Sequence, residues 1–172
     1  SPPEGLRERN AAWHHEKFLE FTKFKGEIGE PSPHLAIVGY MSKDKGVYER
    51  LWMLGCYAAT YCLPSAQVIW TVWPWMKANN GMKGLTTWIA EHWKGIVTRT
   101  ERRCVRTPAK MADCLTSYLR WIRSDYRSLV DLKTTLKGPA YYDAVWESVS
   151  KIRYFGRYIN IRLVEGLRRY CD

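Results

Sequence analysis

Residues 141–170 read YYDAVWESVSKIRYFGRYINIRLVEGLRRY, and this stretch decides the fold. Apolar residues recur at helical spacing from Tyr141 to Ile152, and the pattern resumes from Arg157 to Tyr170. The segment between the two runs, Arg153-Tyr154-Phe155-Gly156, is short and contains a glycine, which is typical of a tight turn. The stretch therefore predicts two helices joined by a hairpin.

A helix, a short glycine-containing turn and a second helix form the plan of a helix-hairpin-helix element. In such an element the first backbone N–H groups of the second helix bind a DNA phosphate, helped by the positive end of the helix dipole. Gly156 permits a positive φ and a close approach of the backbone to the anion, and the neighbouring arginines add charge. The predicted DNA-binding residues are Arg153, Phe155, Gly156, Arg157 and Tyr158. The alternative is an ordinary αα-hairpin, since helix-hairpin-helix turns usually carry two glycines.

The rest of the chain continues the helical pattern. Apolar spacing and capping residues predict further helices over Asn10 to Gly26, Asp44 to Cys62, Ser65 to Pro74, Leu85 to Gly95 and Pro108 to Ile122. The stretch from Ser124 to Leu136 is a second short helix or a continuation of the helix before it. The stretch from Gly26 to Pro33 is a predicted connection. No alternating strand series occurs. We therefore predict an all-α, single-domain bundle of about seven to eight helices over residues 10–172, after a flexible leader over residues 1–9.

The net charge of the chain indicates what kind of partner it binds. Of 172 residues, 27 are Lys or Arg and 17 are Asp or Glu, which gives a net charge of +10. Such an excess favours an anionic partner, most often nucleic acid, although a basic surface kept for solubility is the alternative. The sequence has no apolar run long enough to span a membrane, and its charged start is unlike a secretory signal. We therefore expect a soluble, intracellular protein with no membrane partner.

Cysteine spacing and nucleotide motifs give no sign of a bound metal or cofactor. The five cysteines contain no C-x-x-C pair, and we expect buried, reduced thiols rather than metal ligands. Neither G-x-x-x-x-G-K-[ST] nor G-x-G-x-x-G occurs. The expected cofactor is none, and the expected metal is none.

The densest cluster of positive charge is the stretch from Arg99 to Arg106, which contains four arginines in eight residues: Arg99, Arg102, Arg103 and Arg106. Residues 96–106 show no helical stripe, so we predict a short extended basic arm or a short strand pair. Planar guanidinium groups suit bidentate binding of phosphate or carboxylate. The alternative is a solvated arm whose charges pair with scattered carboxylates.

Aromatic residues provide further candidate site residues. Trp70, Trp73 and Trp75 surround Pro74, and Trp75 is placed to stack on a base that has left the duplex, although core packing is the alternative. His92 follows Trp88 by four residues on a predicted helix. A buried, hydrogen-bonded histidine and a general base are both compatible with that pattern.

Several of these motifs together resemble a known family. They are Glu49-Arg50-Leu51-Trp52, Gly55-Cys56-Tyr57, Val68-Ile69-Trp70, Trp73-Pro74-Trp75, Glu101-Arg102-Arg103 and Gly156-Arg157-Tyr158. The chain from about Trp13 to Tyr170 resembles the amino acid:DNA transferases of bacteriophages that hypermodify thymine, which look like relatives of helix-hairpin-helix DNA glycosylases. The resemblance implies a phage-encoded enzyme in the cytoplasm of a bacterial host. It also implies a DNA substrate in which a separate kinase has phosphorylated 5-hydroxymethyluracil.

The resemblance further implies that a free amino acid, glycine in the simplest members, is joined to the methylene of the base as the phosphoryl group leaves. The arginines, above all Arg102 and Arg103, are then candidates to stabilise the leaving group, since preorganised charge contributes strongly to such reactions. Glu101, Glu49 and His92 are the candidates to remove a proton from the attacking amine. The candidate substrate-binding residues are Arg99, Arg106, Trp73 and Trp75.

Two other functions remain open at the level of sequence. The first is a DNA glycosylase of the same architecture, against which stands the position of Asp172 as the only aspartate beyond Gly156. The second is a non-catalytic DNA-binding accessory protein, which needs only a flat basic face and no pocket.

Overall fold

A computed structural model of the chain describes residues 33–73, 84–98 and 105–170. The helices in these ranges are α1 (Pro33–Ser42), α2 (Val47–Thr60), α3 (Leu63–Trp70), α4 (Leu85–Glu91), α5 (Pro108–Arg123), α6 (Asp125–Leu132), α7 (Gly138–Val149) and α8 (Arg157–Tyr170), with a 3₁₀ turn at Trp93–Gly95. These ranges contain no strand, which confirms the predicted all-α class. The predicted leader over residues 1–9 and the helix from Asn10 lie outside the described residues, so the predicted domain boundaries stay predictions.

The helix starts follow from local capping chemistry. The Thr107 hydroxyl accepts a hydrogen bond from the Lys110 N–H at 3.2 Å, and Pro108 follows it in the first turn of α5, as predicted. Pro64 lies inside the first turn of α3, where a missing N–H costs nothing, and the preceding α2 already ends at Thr60. Tyr61 ends α2 in the left-handed conformation, with φ of 53°.

Helix α1 was not predicted from the sequence. Its sequence, PHLAIVGYMS, contains a glycine and a proline and few polar residues, so it presents no amphipathic stripe for a periodicity argument to detect. Leu35 and Val38 are nevertheless buried, while Ile37 and Tyr40 are exposed. Tertiary packing therefore selects the inward face of α1.

Helix α2 is the centre of the fold. Every residue from Leu51 to Thr60 is buried, and the helix packs against α3, α5 and α8. Its approach to α5 is close because Gly55 has no side chain: a Cβ there would overlap the Tyr118 ring. The Tyr118 hydroxyl donates a hydrogen bond to the Leu51 carbonyl oxygen, which satisfies a polar group in the core.

The approach of α8 to α2 uses a second glycine. A Cβ at Gly166 would overlap the Leu54 side chain. Leu54 of α2 therefore packs directly against the backbone of α8 at Gly166. Because both contacts form on α2 within two residues, substitution at either glycine would push a neighbouring helix away from the centre.

The three cysteines within the described residues are buried thiols, as predicted. Cys56, Cys62 and Cys114 are buried and form no disulfide, while the other two cysteines lie outside the described residues. Burial, and then the proximity of Cys114, raises the pKa of the Cys56 thiol well above its ordinary value. The thiol therefore stays protonated and acts as a core residue. In the described ranges, no helix combines the length and apolarity needed to cross a membrane.

Gly55→Ala tests the close contact between α2 and α5. The added methyl group overlaps the buried Tyr118 ring, and we expect the free energy of unfolding to fall by about 2 kcal/mol despite the better helix propensity of alanine. Chemical denaturation followed by circular dichroism measures the change. Gly95→Ala is the control, because no atom lies within 4 Å of the position of its Cβ. Equal stability of the two variants would show that the contact is not tight.

Candidate functional site

The turn between α7 and α8 is built by backbone hydrogen bonds. The Ile152 N–H donates to the Val149 carbonyl at 3.1 Å, and the Phe155 N–H donates to the Ile152 carbonyl at 3.2 Å. Tyr154 takes the left-handed conformation, with φ of 65°, whereas Gly156 is not among the residues with positive φ. Gly156 therefore does not use the positive φ that its lack of a side chain permits, because the left-handed residue of the turn is Tyr154, two residues earlier.

The turn is attached to α5 by two contacts. The Arg153 N–H donates to the Ser117 hydroxyl oxygen at 2.8 Å, and the Phe155 ring stacks on the Tyr118 ring with centroids 5.6 Å apart. Phe155 is only 6% exposed, so its ring belongs to the core and not to the outer face of the turn. This fixed attachment holds the beginning of α8 in a set position on the body of the protein.

The outer face of the turn is open and basic. Gly156 is exposed, and no atom lies within 4 Å of the position that a Cβ would occupy. The exposed Arg153 guanidinium lies over the Tyr154 ring at 5.0 Å from its centroid. The first N–H groups of a helix have no acceptor within it, so the start of α8 is suited to binding an anion. The side chains of Arg157 and Tyr158 lie outside the described residues.

His92 is exposed, at the end of α4. Its ring stacks on Trp88 with centroids 4.1 Å apart, and its Nδ1 lies 2.8 Å from the Trp88 carbonyl oxygen. A carbonyl oxygen only accepts hydrogen bonds, so this contact requires the proton on Nδ1 and leaves the lone pair of the neutral ring on Nε2. The ring is therefore held in an orientation and a tautomer that suit a general base.

The basic arm begins close to His92. The Val97 N–H donates to the Ser65 hydroxyl oxygen at 2.7 Å, which attaches residues 96–98 to the buried first turn of α3. Arg106 is exposed immediately before α5. The other predicted residues of the arm, namely Arg99, Glu101, Arg102 and Arg103, lie outside the described residues, as does Trp75.

Two further predicted site residues lie on or against α2. Glu49 is half-buried in the first turn of α2 and precedes Trp52 by three residues, so the two share one face of the helix. Trp73 is half-buried and stacks on the fully buried Trp52 with centroids 6.3 Å apart. The structure thus brings Trp73 to the core, next to the helix that carries Glu49.

Sequence reasoning missed two buried polar residues of α8. Asn160 is 4% exposed and Glu165 is 8% exposed. The buried hydrophobic residues of the same helix are aliphatic. The signal was present as polar residues inside the apolar run INIRLVEGL. Glu165 is a second carboxylate beyond Gly156, besides Asp172, that a glycosylase comparison has to consider. Among the described residues, no group of three His, Cys, Asp or Glu side chains is placed to hold a metal ion.

Comparison with known families decides the class of protein. A family model described as amino acid:DNA transferase matches residues 34–171, which is well over half of the chain and spans every helix from α1 to α8. The chain belongs to the amino acid:DNA transferase family. Membership confirms the resemblance and makes the protein a transferase whose substrates are DNA and an amino acid. Searches of curated proteins and of solved structures found no match.

Ser117→Ala tests the attachment of the hairpin turn in this transferase. The change removes the acceptor of the Arg153 N–H, at a cost of about 1 kcal/mol, so the amide of Arg153 should exchange its hydrogen at least about five-fold faster. Hydrogen exchange followed by NMR measures the rate. Ser117→Thr retains the hydroxyl and should leave the rate near that of the parent. An unchanged rate in the alanine variant would mean that the turn is held without this hydrogen bond.

Proposed function

We propose that this transferase joins glycine to phosphorylated 5-hydroxymethyluracil in DNA, and that its α7–α8 hairpin holds the DNA as a helix-hairpin-helix element does. The observation that carries the DNA part is the open start of α8, which Ser117 and Tyr118 of α5 hold in place. The choice of amino acid and base rests on the resemblance to phage enzymes that hypermodify thymine. In that setting the protein acts in the cytoplasm of a bacterial host, after a separate DNA kinase.

The hairpin supports phosphate binding through backbone and charge together. A phosphate oxygen needs several donors and room to approach them, and among the described residues no atom other than those of the two flanking residues lies within 4 Å of the Cβ position of Gly156. Arg153 supplies positive charge on the same turn, and the net charge of +10 attracts the DNA backbone as a whole. The hairpin therefore positions the strand without reading its sequence.

The transfer itself is a displacement at the methylene carbon of the base. The amine nitrogen of glycine forms a bond to that carbon, the bond from carbon to the phosphate oxygen breaks, and the phosphate, including that oxygen, leaves with the electron pair. Arg102 and Arg103 are proposed to stabilise the leaving anion, as preorganised positive groups do in phosphate chemistry. Arg99 and Arg106 are proposed to bind the carboxylate of glycine.

The attacking amine must first lose a proton, and His92 is the proposed base. Its Nδ1 contact with the Trp88 carbonyl leaves Nε2 as the basic atom, and its exposure allows a substrate to reach it. Glu49 is less suitable, since it is half-buried in the first turn of α2. Glu101, next to the two arginines in sequence, is the alternative base.

Mass spectrometry of nucleosides tests the proposed reaction. Duplex DNA containing 5-hydroxymethyluracil is treated with a DNA kinase and incubated with the protein and a mixture of amino acids. We expect a nucleoside whose mass corresponds to glycine joined at the methylene with loss of phosphate. His92→Ala should lower turnover about 100-fold or more while DNA affinity changes little, since a general base contributes about that much.

His34→Ala is the matched control for His92→Ala, because His34 is also an exposed histidine, on α1. Its turnover should equal that of the parent. An abasic product would favour the glycosylase alternative, and an unmodified base in every mixture would contradict transfer to this substrate. Full activity of the His92 variant would mean that the general base is Glu101 or Glu49 and not His92.

Gly156→Val tests the phosphate contact of the hairpin. The isopropyl group fills the open space at the start of α8, so we expect duplex affinity to fall about ten-fold without loss of helix content. Arg157→Ala should flatten the salt dependence of binding by about one counterion. Fluorescence anisotropy over a range of salt concentrations measures both effects.

Gly46→Val is the control for the hairpin variant. Gly46 also precedes a helix, α2, and no atom lies within 4 Å of its Cβ position, so the cost to folding is comparable while the surface differs. If the Gly156 and Arg157 variants bind DNA as the parent does at every salt concentration, the hairpin is an ordinary αα-hairpin.

A further inference from the structure

A small cleft lies among α6, α7 and α8. Its volume is about 70 Å³, and three half-buried tyrosines, Tyr126, Tyr141 and Tyr142, form part of its lining. Buried aliphatic side chains complete the lining, among them Leu129, Val145 and Val164. The cleft therefore combines aromatic walls with an apolar floor.

The chemistry of the lining indicates which part of the DNA or of the amino acid could bind in the cleft. None of the residues that line the cleft carries a charge at neutral pH, so a phosphate or the zwitterion of an amino acid would lose its hydration without a counter-charge. A nucleobase is flat and uncharged, and its faces stack favourably on aromatic side chains. The flat, uncharged base of the DNA therefore matches the cleft better than a phosphate or the zwitterion of an amino acid does.

The size of the cleft limits the kind of base. A buried cavity of about 150 Å³ holds a benzene molecule, and the cleft has about half of that volume. A flat ring therefore enters it by one edge and keeps its other edge outside. A single pyrimidine ring suits such a cleft better than the larger purine.

The position of the cleft relates it to the hairpin. Gly156 immediately precedes α8, and Val164 follows it by eight residues, which corresponds to about 12 Å along the axis of the helix. That distance is about three to four base steps of a DNA strand. The charge of the surrounding sequence is also favourable, since residues 120–169 contain eleven Lys or Arg and five Asp or Glu. A strand held at the hairpin can therefore pass the mouth of the cleft.

We infer that the tyrosine cleft of α6, α7 and α8 binds one unstacked pyrimidine base of the DNA strand that the hairpin holds. The inference rests on the proposed function only in requiring that the hairpin binds DNA. The base loses its stacking in the duplex and regains it against the tyrosine rings, so the cleft stabilises an opened strand. Trp75, which the sequence suggested for a similar contact, lies outside the described residues.

Photo-crosslinking of the parent protein tests the site directly. A single-stranded oligonucleotide carrying 5-iodouracil at successive positions is irradiated with the protein, and the linked peptide is identified by mass spectrometry. We expect crosslinks to Tyr141 or Tyr142 from one position of the strand. Crosslinks confined to other parts of the chain would overturn the inference, and this measurement does not depend on any variant folding.

Substitution gives an independent test by affinity. Tyr142→Ala should weaken binding of a pyrimidine oligonucleotide about 5- to 100-fold, the range for loss of one base–aromatic stack, while Tyr142→Phe retains the ring and stays within about three-fold. Replacing the base at the crosslinked position by an abasic site should abolish the difference between parent and alanine variant. Tyr40→Ala is the control, because Tyr40 is 70% exposed on α1 and outside the cleft.

The outcomes separate this inference from the hairpin proposal. If Gly156→Val weakens binding but Tyr142→Ala does not, the hairpin binds DNA and the cleft does not bind a base. If Tyr142→Ala raises the KM for the amino acid and leaves DNA affinity unchanged, the cleft belongs to the amino acid and the inference is wrong. If the parent protein binds no DNA, both proposals fail.

Discussion

The close contact between Gly55 of α2 and the Tyr118 ring of α5 is the constraint on which the rest of the structure depends. Tyr118 fills the space that glycine leaves, donates its hydroxyl proton to the Leu51 carbonyl, and stacks on Phe155 on its other side. One buried side chain therefore connects the central helix to the turn before α8. Displacement of the ring would loosen the core and the hairpin together, because interiors at native density have no room to absorb it.

This arrangement combines a buried, rigid support with an exposed, basic turn. Phe155 faces the core, while Gly156 and Arg153 of the same turn face outward, so neighbouring residues serve opposite purposes. His92 is likewise fixed on one side and exposed on the other. The Trp88 ring and carbonyl fix its orientation, while its Nε2 remains available to accept a proton. For an amino acid:DNA transferase, such fixed outer groups are useful because the orientation of two substrates accounts for much of the rate.

The charged and the apolar parts of the substrates are assigned to different surfaces of the protein. The proposed contacts to phosphate and carboxylate are all arginines or backbone N–H groups, whereas the tyrosine cleft offers only uncharged lining. In the proposed arrangement, each part of the DNA and of the amino acid has a partner of suitable chemistry. Buried Asn160 and Glu165 lie in α8 between the hairpin and the end of the chain, so this helix carries polar groups on its core side as well as its start.

Sequence alone determined the helical class, the cap at Thr107 and the bounds of α8, because capping and periodicity are local properties that one segment expresses by itself. It left open whether a break follows α5, which the structure places between Arg123 and Asp125. It also pointed to the family through short motifs. Tertiary structure decided the rest: the existence of α1, the outward position of His92, the inward position of Phe155 and the tyrosine cleft. These features depend on which faces of distant helices meet, and a pattern within one segment does not specify its neighbours.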